Sequence, residues 1–305
     1  MSKIAFVRIA EGLGNQMFMY ASSYALSKKF NFKLFIDCES GFFKKKNQAR
    51  GQKYLLNIFN ITAPLAKQEF LFNNYIKDIK RKFLKKTDLL RKNKFFLLEK
   101  LDSEKKTSFY NFDFTQKFAN KIYIEGHFES ENYFLDFKKE VLKNFTIKNK
   151  FVNCKNKFIP LLKKNNSVSI HVRVHRFTGE LNERKDILNI NKSNQFTNSS
   201  IVYAKKGMDF FKKNSKNPVF FVWSNDINYI SNKFKNYNCI FINNNNNIVD
   251  DFYLFSLSKH FIVSPSSFHW WGAWLNQNPG KICLRPKNLN PSNNTDFWPA
   301  SWIPI

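Results

Sequence analysis

Residues 261–276, FIVSPSSFHWWGAWLN, join a short apolar run to a tight turn carrying Ser264, Ser266 and Ser267, then to a helical pattern from Phe268 onward. With Ser266 or Ser267 as N-cap, such a junction aims backbone N–H groups, hydroxyls and the positive end of a helix dipole at one point, which suits a phosphate. A plain capped helix packed by tryptophans is the competing reading. Two further clusters weigh against it. His171 and Arg173 lie at the end of SVSIHV (167–172), and Ser224, Asn225 and Asp226 at the end of VFFVWS (219–224). A guanidinium fork and a helix N-terminus suit a diphosphate, while a carboxylate suits a base or ribose donor. Asp251, at the start of DDFYLFSLSKH, would either meet a guanine edge or complement its own helix dipole. His171 and His175 are four apart, but they fall on or after a strand without a companion glutamate, and no D-x-D string occurs. No metal site is therefore expected.

The elements that must carry these clusters read as an α/β chain. IAFVRI (4–9), the glycine turn EGLGNQ, a helix containing Met17, Phe18, Ala21, Tyr24 and Ala25, and FKLFID (32–37) make one βαβ unit. Residues 65–100 read as amphipathic helices, 122–128 as a strand, and 129–145 as a helix. After a Lys/Asn-rich crossover at 150–166, strands are expected at 167–172, 219–224, 238–242, 261–265 and 281–286. Helices at 201–213, 226–234, 250–260 and 267–276 alternate with them, and 176–200 reads as a long polar connection. Two Rossmann-like domains follow, residues 1–155 and 156–305, with the final tail free to pack back on the first. In such sheets ligands sit outside the carboxyl ends of the strands, which is where all three clusters fall.

The 305 residues include 36 Phe and carry a net charge of +27. The lysines are scattered and no nucleic-acid module is present, so a nucleic-acid partner is not expected. Loose peripheral attraction to the anionic inner face of a bacterial membrane fits the charge better. No apolar run is long enough to span a bilayer and no signal peptide opens the chain, so a cytoplasmic protein is expected. The four cysteines are far apart, as free thiols would be.

EGLGNQMFMYA (11–21), YIEGHFESENYF (123–134), SIHVR (169–173), FFVWSNDINYI (220–230), the stretch 250–276 and the terminal WPASWIPI (298–305) together resemble the bacterial α-1,2-fucosyltransferases of glycosyltransferase family 11. The resemblance implies a GT-B-like architecture, two Rossmann-like domains facing a central cleft. It implies a metal-independent, inverting transfer of L-fucose from GDP-β-L-fucose to a hydroxyl, O2 of galactose, on a lipid-linked or oligosaccharide surface-glycan precursor. Another GDP-deoxysugar such as colitose, or a catalytically weak GDP-binding homologue, are the alternatives. By the same resemblance Arg173 binds the β-phosphate and Ser266 and Ser267 hold the diphosphate, with Phe268, Ser224 and Asp226 counted among the donor-binding residues. Asp251 and His171 fall on the guanine side, and the loop Gly12, Gly14, Asn15, Gln16 closes over the sugar. Glu11, Glu125, His127 and Glu129 are candidate general bases, with Glu11 placed first. The family's H-x-R-R-G-D is here His171-Val172-Arg173-Val174-His175-Arg176, Glu11 stands where glycine is common, and Asn225 where aspartate is common.

Overall fold

The computed structural model describes residues 3–43, 52–101, 107–112, 117–174, 190–243, 247–289 and 294–305. His175 and Arg176 lie outside these. The chain forms two compact units: residues 1–146 with 290–299, and residues 147–289 with 300–305. The division thus falls ahead of the boundary read from the sequence, and the second unit regains the last six residues.

The first unit holds a four-stranded parallel sheet of β1 (Ile4–Arg8), β2 (Lys33–Asp37), β3 (Lys94–Leu98) and β4 (Phe118–Glu125), in the order β2-β1-β4-β3. Helix α1 (Leu13–Lys29) links β1 to β2 and is buried nearly all round, which its run of Met, Phe, Ala and Ser permits. Residues 65–100 are not all helical as expected. Helix α2 (Tyr75–Thr87), capped by the Asn74 side chain, leads through a single 3₁₀ turn into β3. The KFFLL of β3 lies within a lysine-rich stretch, and pairing with β4 buries Phe96 and Leu97. The helix expected at 129–145 is also broken. Two 3₁₀ turns, Glu131–Tyr133 and Leu135–Phe137, precede α3 (Lys138–Asn144). The Ser130 hydroxyl accepts from Asn132 N–H, and Phe134 leaves helical geometry at φ −132°.

The second unit opens with α4 (Phe158–Lys164), which carries Pro160 in its first turn, where a missing N–H costs nothing. Its six-stranded sheet is parallel throughout, in the order β10-β9-β8-β5-β6-β7. The strands are β5 (Asn166–Val172), β6 (Pro218–Ser224), β7 (Cys239–Phe241), β8 (His260–Ile262), β9 (Cys283–Arg285) and β10 (Ile303–Pro304). Between them run α5 (Ile190–Asn214), α6 (Ile227–Lys233), α7 (Ile248–Ser256) and α8 (Ser267–Leu275). Helix α5 begins inside the stretch read as a polar connection. Val168, Ile170, Phe220, Val222 and Ile262 from the strands meet Ile201, Ala204, Met208 and Phe211 of α5 in one core. On α8, Trp270, Trp271 and Trp274 are buried, and Trp302 from the chain end packs on Trp270 with ring centroids 5.6 Å apart.

Candidate functional site

In the second unit β5 lies between β6 and β8. The chain leaves β5 towards β6 on one side and later returns to β8 on the other, and at such a reversal the loops diverge and open a crevice. Arg173 directly follows β5 and is exposed, while the turn Ser264–Ser266 follows β8 and opens α8. The register Ile170 to Ile262 sets these two segments side by side. Ser266 is the N-cap residue of α8 by position, as expected. Its backbone is extended (φ −148°, ψ 128°) and its carbonyl accepts from Trp270 N–H at 3.0 Å. Its hydroxyl makes no capping bond, whereas Asp226 and Asn247 cap α6 and α7 with their side chains.

Beneath this turn lies a histidine pair that the sequence did not announce. His171 and His269 stack at 3.9 Å with an 18° angle between rings, and each Nδ1 is 3.4 Å from the Ser264 hydroxyl. Burial, aided by the Arg173 cation, pushes His171 down to about 3. His269 is driven well below its ordinary value by burial, with His171 and Arg173 adding to the effect. Both rings are neutral at physiological pH, so they pack beside Arg173 without competing with it for an anion.

Asn225 has a role that only the structure reveals. Its Nδ2 donates to the Val174 carbonyl and its Oδ1 accepts from Val174 N–H, both at 2.9 Å. This two-point clamp fixes the residue after Arg173. Two departures from the family pattern, Val174 and Asn225, are therefore bonded to each other. An aspartate at 225 could not donate to that carbonyl.

The other second-unit candidates divide. Ser224 Oγ accepts from Asp226 N–H at 3.1 Å, and the Asp226 carboxylate accepts from Tyr229 N–H at 2.9 Å, so both shape the start of α6. Asp251 sits in the first turn of α7, which opens earlier than expected, at Ile248. Phe268 packs edge-on against Phe252 at 5.2 Å and joins α8 to α7. Tyr203 of α5 places its hydroxyl 2.9 Å from the Val263 carbonyl and 3.0 Å from that of Leu284, tying down the ends of β8 and β9.

The first unit repeats the logic. β1 lies between β2 and β4, and the loops after β1 and β4 carry Glu11 and His127. Glu11 has a left-handed backbone (φ 66°), and its Oε2 lies 3.2 Å from His127 Nε2 and accepts from Asn15 Nδ2 at 2.6 Å. The hydrogen bond to Glu11 raises His127 to about 9 against the opposing effect of burial, with the charges of Glu11, Glu129 and Glu99 adding. Glu99, itself raised by burial, accepts the backbone N–H groups of His127 and Phe128 at 2.8 and 2.7 Å and so holds the loop. Gly126 allows that turn. At φ 159° it adopts a backbone that side chains avoid, and a Cβ there would approach the Phe128 ring to 2.8 Å.

Gln16 is buried, with Nε2 donating to the carbonyls of Glu11 (2.7 Å) and Lys53 (2.8 Å) and Oε1 accepting from Leu55 N–H (2.9 Å). Its amide thus ties the Glu11 turn to the segment at Lys53 and Leu55 from within, in place of the expected contact with sugar. Gly14 is buried inside α1, while Gly12 is the exposed N-cap residue of that helix. Of the candidate bases, Glu125 is taken up by Arg81 (2.6 and 2.7 Å) and Lys85 (2.8 Å), and Glu129 is buried. Glu11 is the half-exposed carboxylate of the group with an imidazole partner.

Two parallel Rossmann-like units, each with charged groups at the reversal of its strand order, define a GT-B-like transferase fold. The family model for glycosyl transferase family 11 matches residues 2–303, and the chain belongs to that family. It is 30% identical to an Escherichia coli alpha-1,2-colitosyltransferase over 99% of both chains. It is 26% identical to the O-antigen biosynthesis glycosyltransferase WbnK of Escherichia coli over 97% of this chain and 98% of that one. Among solved structures, fucosyltransferase NodZ from Bradyrhizobium superposes with a TM-score of 0.54 at 11% identity, covering 89% of this chain and 92% of NodZ. A mutant of Arabidopsis thaliana FUT1 in complex with GDP gives 0.53 at 14% identity, covering 99% of this chain and 76% of that one. The protein is a glycosyltransferase of family 11.

Proposed function

We propose that the protein transfers L-fucose from GDP-β-L-fucose, with inversion and without a metal ion, to O2 of a galactose in a surface-glycan precursor. The observation that carries this reading is Arg173 beside the serine-bearing N-terminus of α8 at the strand-order reversal of the second unit. In the proposed reaction the acceptor oxygen forms a bond to the anomeric carbon as the bond from that carbon to the β-phosphate oxygen breaks, and GDP leaves with the electron pair. Arg173 and the helix end stabilise the charge gathering on the diphosphate. Glu11, oriented by Asn15 and His127, takes the acceptor proton. Solved relatives of the same fold include NodZ soaked with GDP-fucose, which supports the donor class. The colitosyltransferase relative supports the α-1,2 linkage and favours a second reading, GDP-colitose as donor, which differs from fucose by loss of the 3-hydroxyl.

The test is transfer from radiolabelled GDP-fucose and GDP-colitose to galactose-terminated acceptors, in EDTA, with free sugar counted separately. Labelled α-1,2 product from GDP-fucose is expected. Product from GDP-colitose alone would replace the donor assignment. Binding of GDP without transfer or hydrolysis from either donor would overturn catalysis.

A further inference from the structure

Helix α2 is built inside out. Its inward face carries Asp78, Arg81 and Lys85, which join Glu125 in a network of ion pairs, with Leu84 alongside against the sheet. Its outward face carries Ile76, Ile79 and Phe83, each at least 64% exposed. Those three recur at the i, i+3, i+7 spacing that aligns one stripe of a helix. The following turn extends the stripe with Leu89 and Leu90, 81% and 89% exposed. Scattered exposed apolar residues are ordinary, but an aligned series is not. Lys80 borders the stripe on one side and Lys82 and Lys86 on the other, all exposed, with Arg91 and Lys92 beyond the turn.

We infer that this face of α2 docks on an anionic phospholipid bilayer, lying in the headgroup layer with Ile76, Ile79, Phe83, Leu89 and Leu90 in the acyl boundary and the lysines among the phosphates. An apolar stripe flanked by lysines is the pattern of an interfacial helix. At 13 residues α2 is too short to cross, and among the described residues no helix is long and apolar enough to do so. Charge selects the occupant. In a chain of net charge +27, a second copy would bring two lysine-rimmed faces together, whereas an anionic surface complements them. The inference is independent of the donor sugar.

Cosedimentation of the full chain with phosphatidylglycerol/phosphatidylethanolamine vesicles, and with pure phosphatidylcholine vesicles, tests it. Two variants accompany the wild type: Ile76→Ser, Ile79→Ser and Phe83→Ser combined, and Lys80→Gln, Lys82→Gln and Lys86→Gln combined. Thermal melts establish that both are folded. Wild type should bind the anionic vesicles and not the neutral ones. Each variant should bind at least tenfold more weakly while retaining transfer to a soluble acceptor. Anionic binding unchanged by the serine triple would assign it to diffuse charge and overturn the docking face. So would no binding by wild type, or a dimer in sedimentation equilibrium that the serine triple dissolves.

Discussion

Asn225→Asp exchanges one N–H donor for an oxygen at the clamp on Val174. The bond from Val174 N–H to Oδ1 survives, while the donor to the Val174 carbonyl is replaced by a carboxylate oxygen about as close as the 2.9 Å of the lost bond. Val174 is buried, so the lost bond and the lone-pair repulsion should together cost about 2 kcal/mol, the middle of the range for a buried acceptor left unsatisfied. For a unit of this size that is a fall of roughly 4–8 °C in Tm. If the clamp also aims Arg173, the rate of transfer should fall about tenfold or more, because the strand end carrying the guanidinium loosens. Calorimetry and initial rates on the same preparation give both numbers, with Asn225→Ala, which removes both bonds, as the more severe companion. A Tm within 1 °C of wild type with an unchanged rate would refute the clamp. A lowered Tm with an unchanged rate would refute its link to Arg173.

Arg173→Ala should lower transfer by 10²–10³, about 3–4 kcal/mol of leaving-group stabilisation, and retention of more than a tenth of the activity would remove Arg173 from that role. Glu11→Gln should slow transfer and let the His127 titration, followed by NMR, fall from about 9 towards the ordinary histidine range. Because the folded value is raised, the stability that His127 confers is complete below about pH 6.5 and lost as pH rises through about 9. That alkaline loss should shrink in the glutamine variant, where only the charges of Glu129 and Glu99 still raise His127. His171 and His269 carry the opposite sign. Their folded values are depressed, so the unfolded chain takes up protons first as pH falls below about 6.5. Stability should drop by about 1.4 kcal/mol per pH unit for each ring between pH 6.5 and 5. His269→Phe should roughly halve that slope in denaturant titrations, and an equal slope would show that His269 is not held neutral by the fold.

Most of the parallel sheet of the second unit was legible because β5, β6, β7 and β8 are each an apolar run followed by a helix, and Arg173, Ser266 and Ser267 fall after strand ends, whereas the exposed two-residue β10 carries no such signal. What escaped the sequence was everything that depends on a partner far along the chain. Asn225 looked like a failed aspartate, since nothing local shows a carboxamide gripping both backbone groups of a residue 51 positions away. His269 looked like part of an aromatic helix, and only the adjacency of β5 and β8 stacks it on His171. Gln16 had the polarity of a ligand contact, and burial turned it into the internal support of the Glu11 turn. In the first unit the lysines of α2 and β3 disguised a strand, because long basic side chains can lie along apolar surface while their heads reach water.

Residues 294–305 are divided between the two units. Asn294 donates to the Glu129 carbonyl at 2.9 Å, and Asp296 accepts from Phe109 N–H at 2.8 Å, in the first unit. Only a few residues later Ile305 exchanges backbone bonds with Arg285 and Lys287 in the second. A ribosome delivers the amino-terminal unit first, and such units ordinarily fold as they emerge. Here the first unit stays without its Asn294 and Asp296 anchors throughout synthesis of the second, and the second lacks its edge strand until the same dozen residues clear the exit tunnel. Completion of both halves is thereby deferred to a single late event, so a premature stop just before residue 294 would leave two incomplete units instead of one finished half.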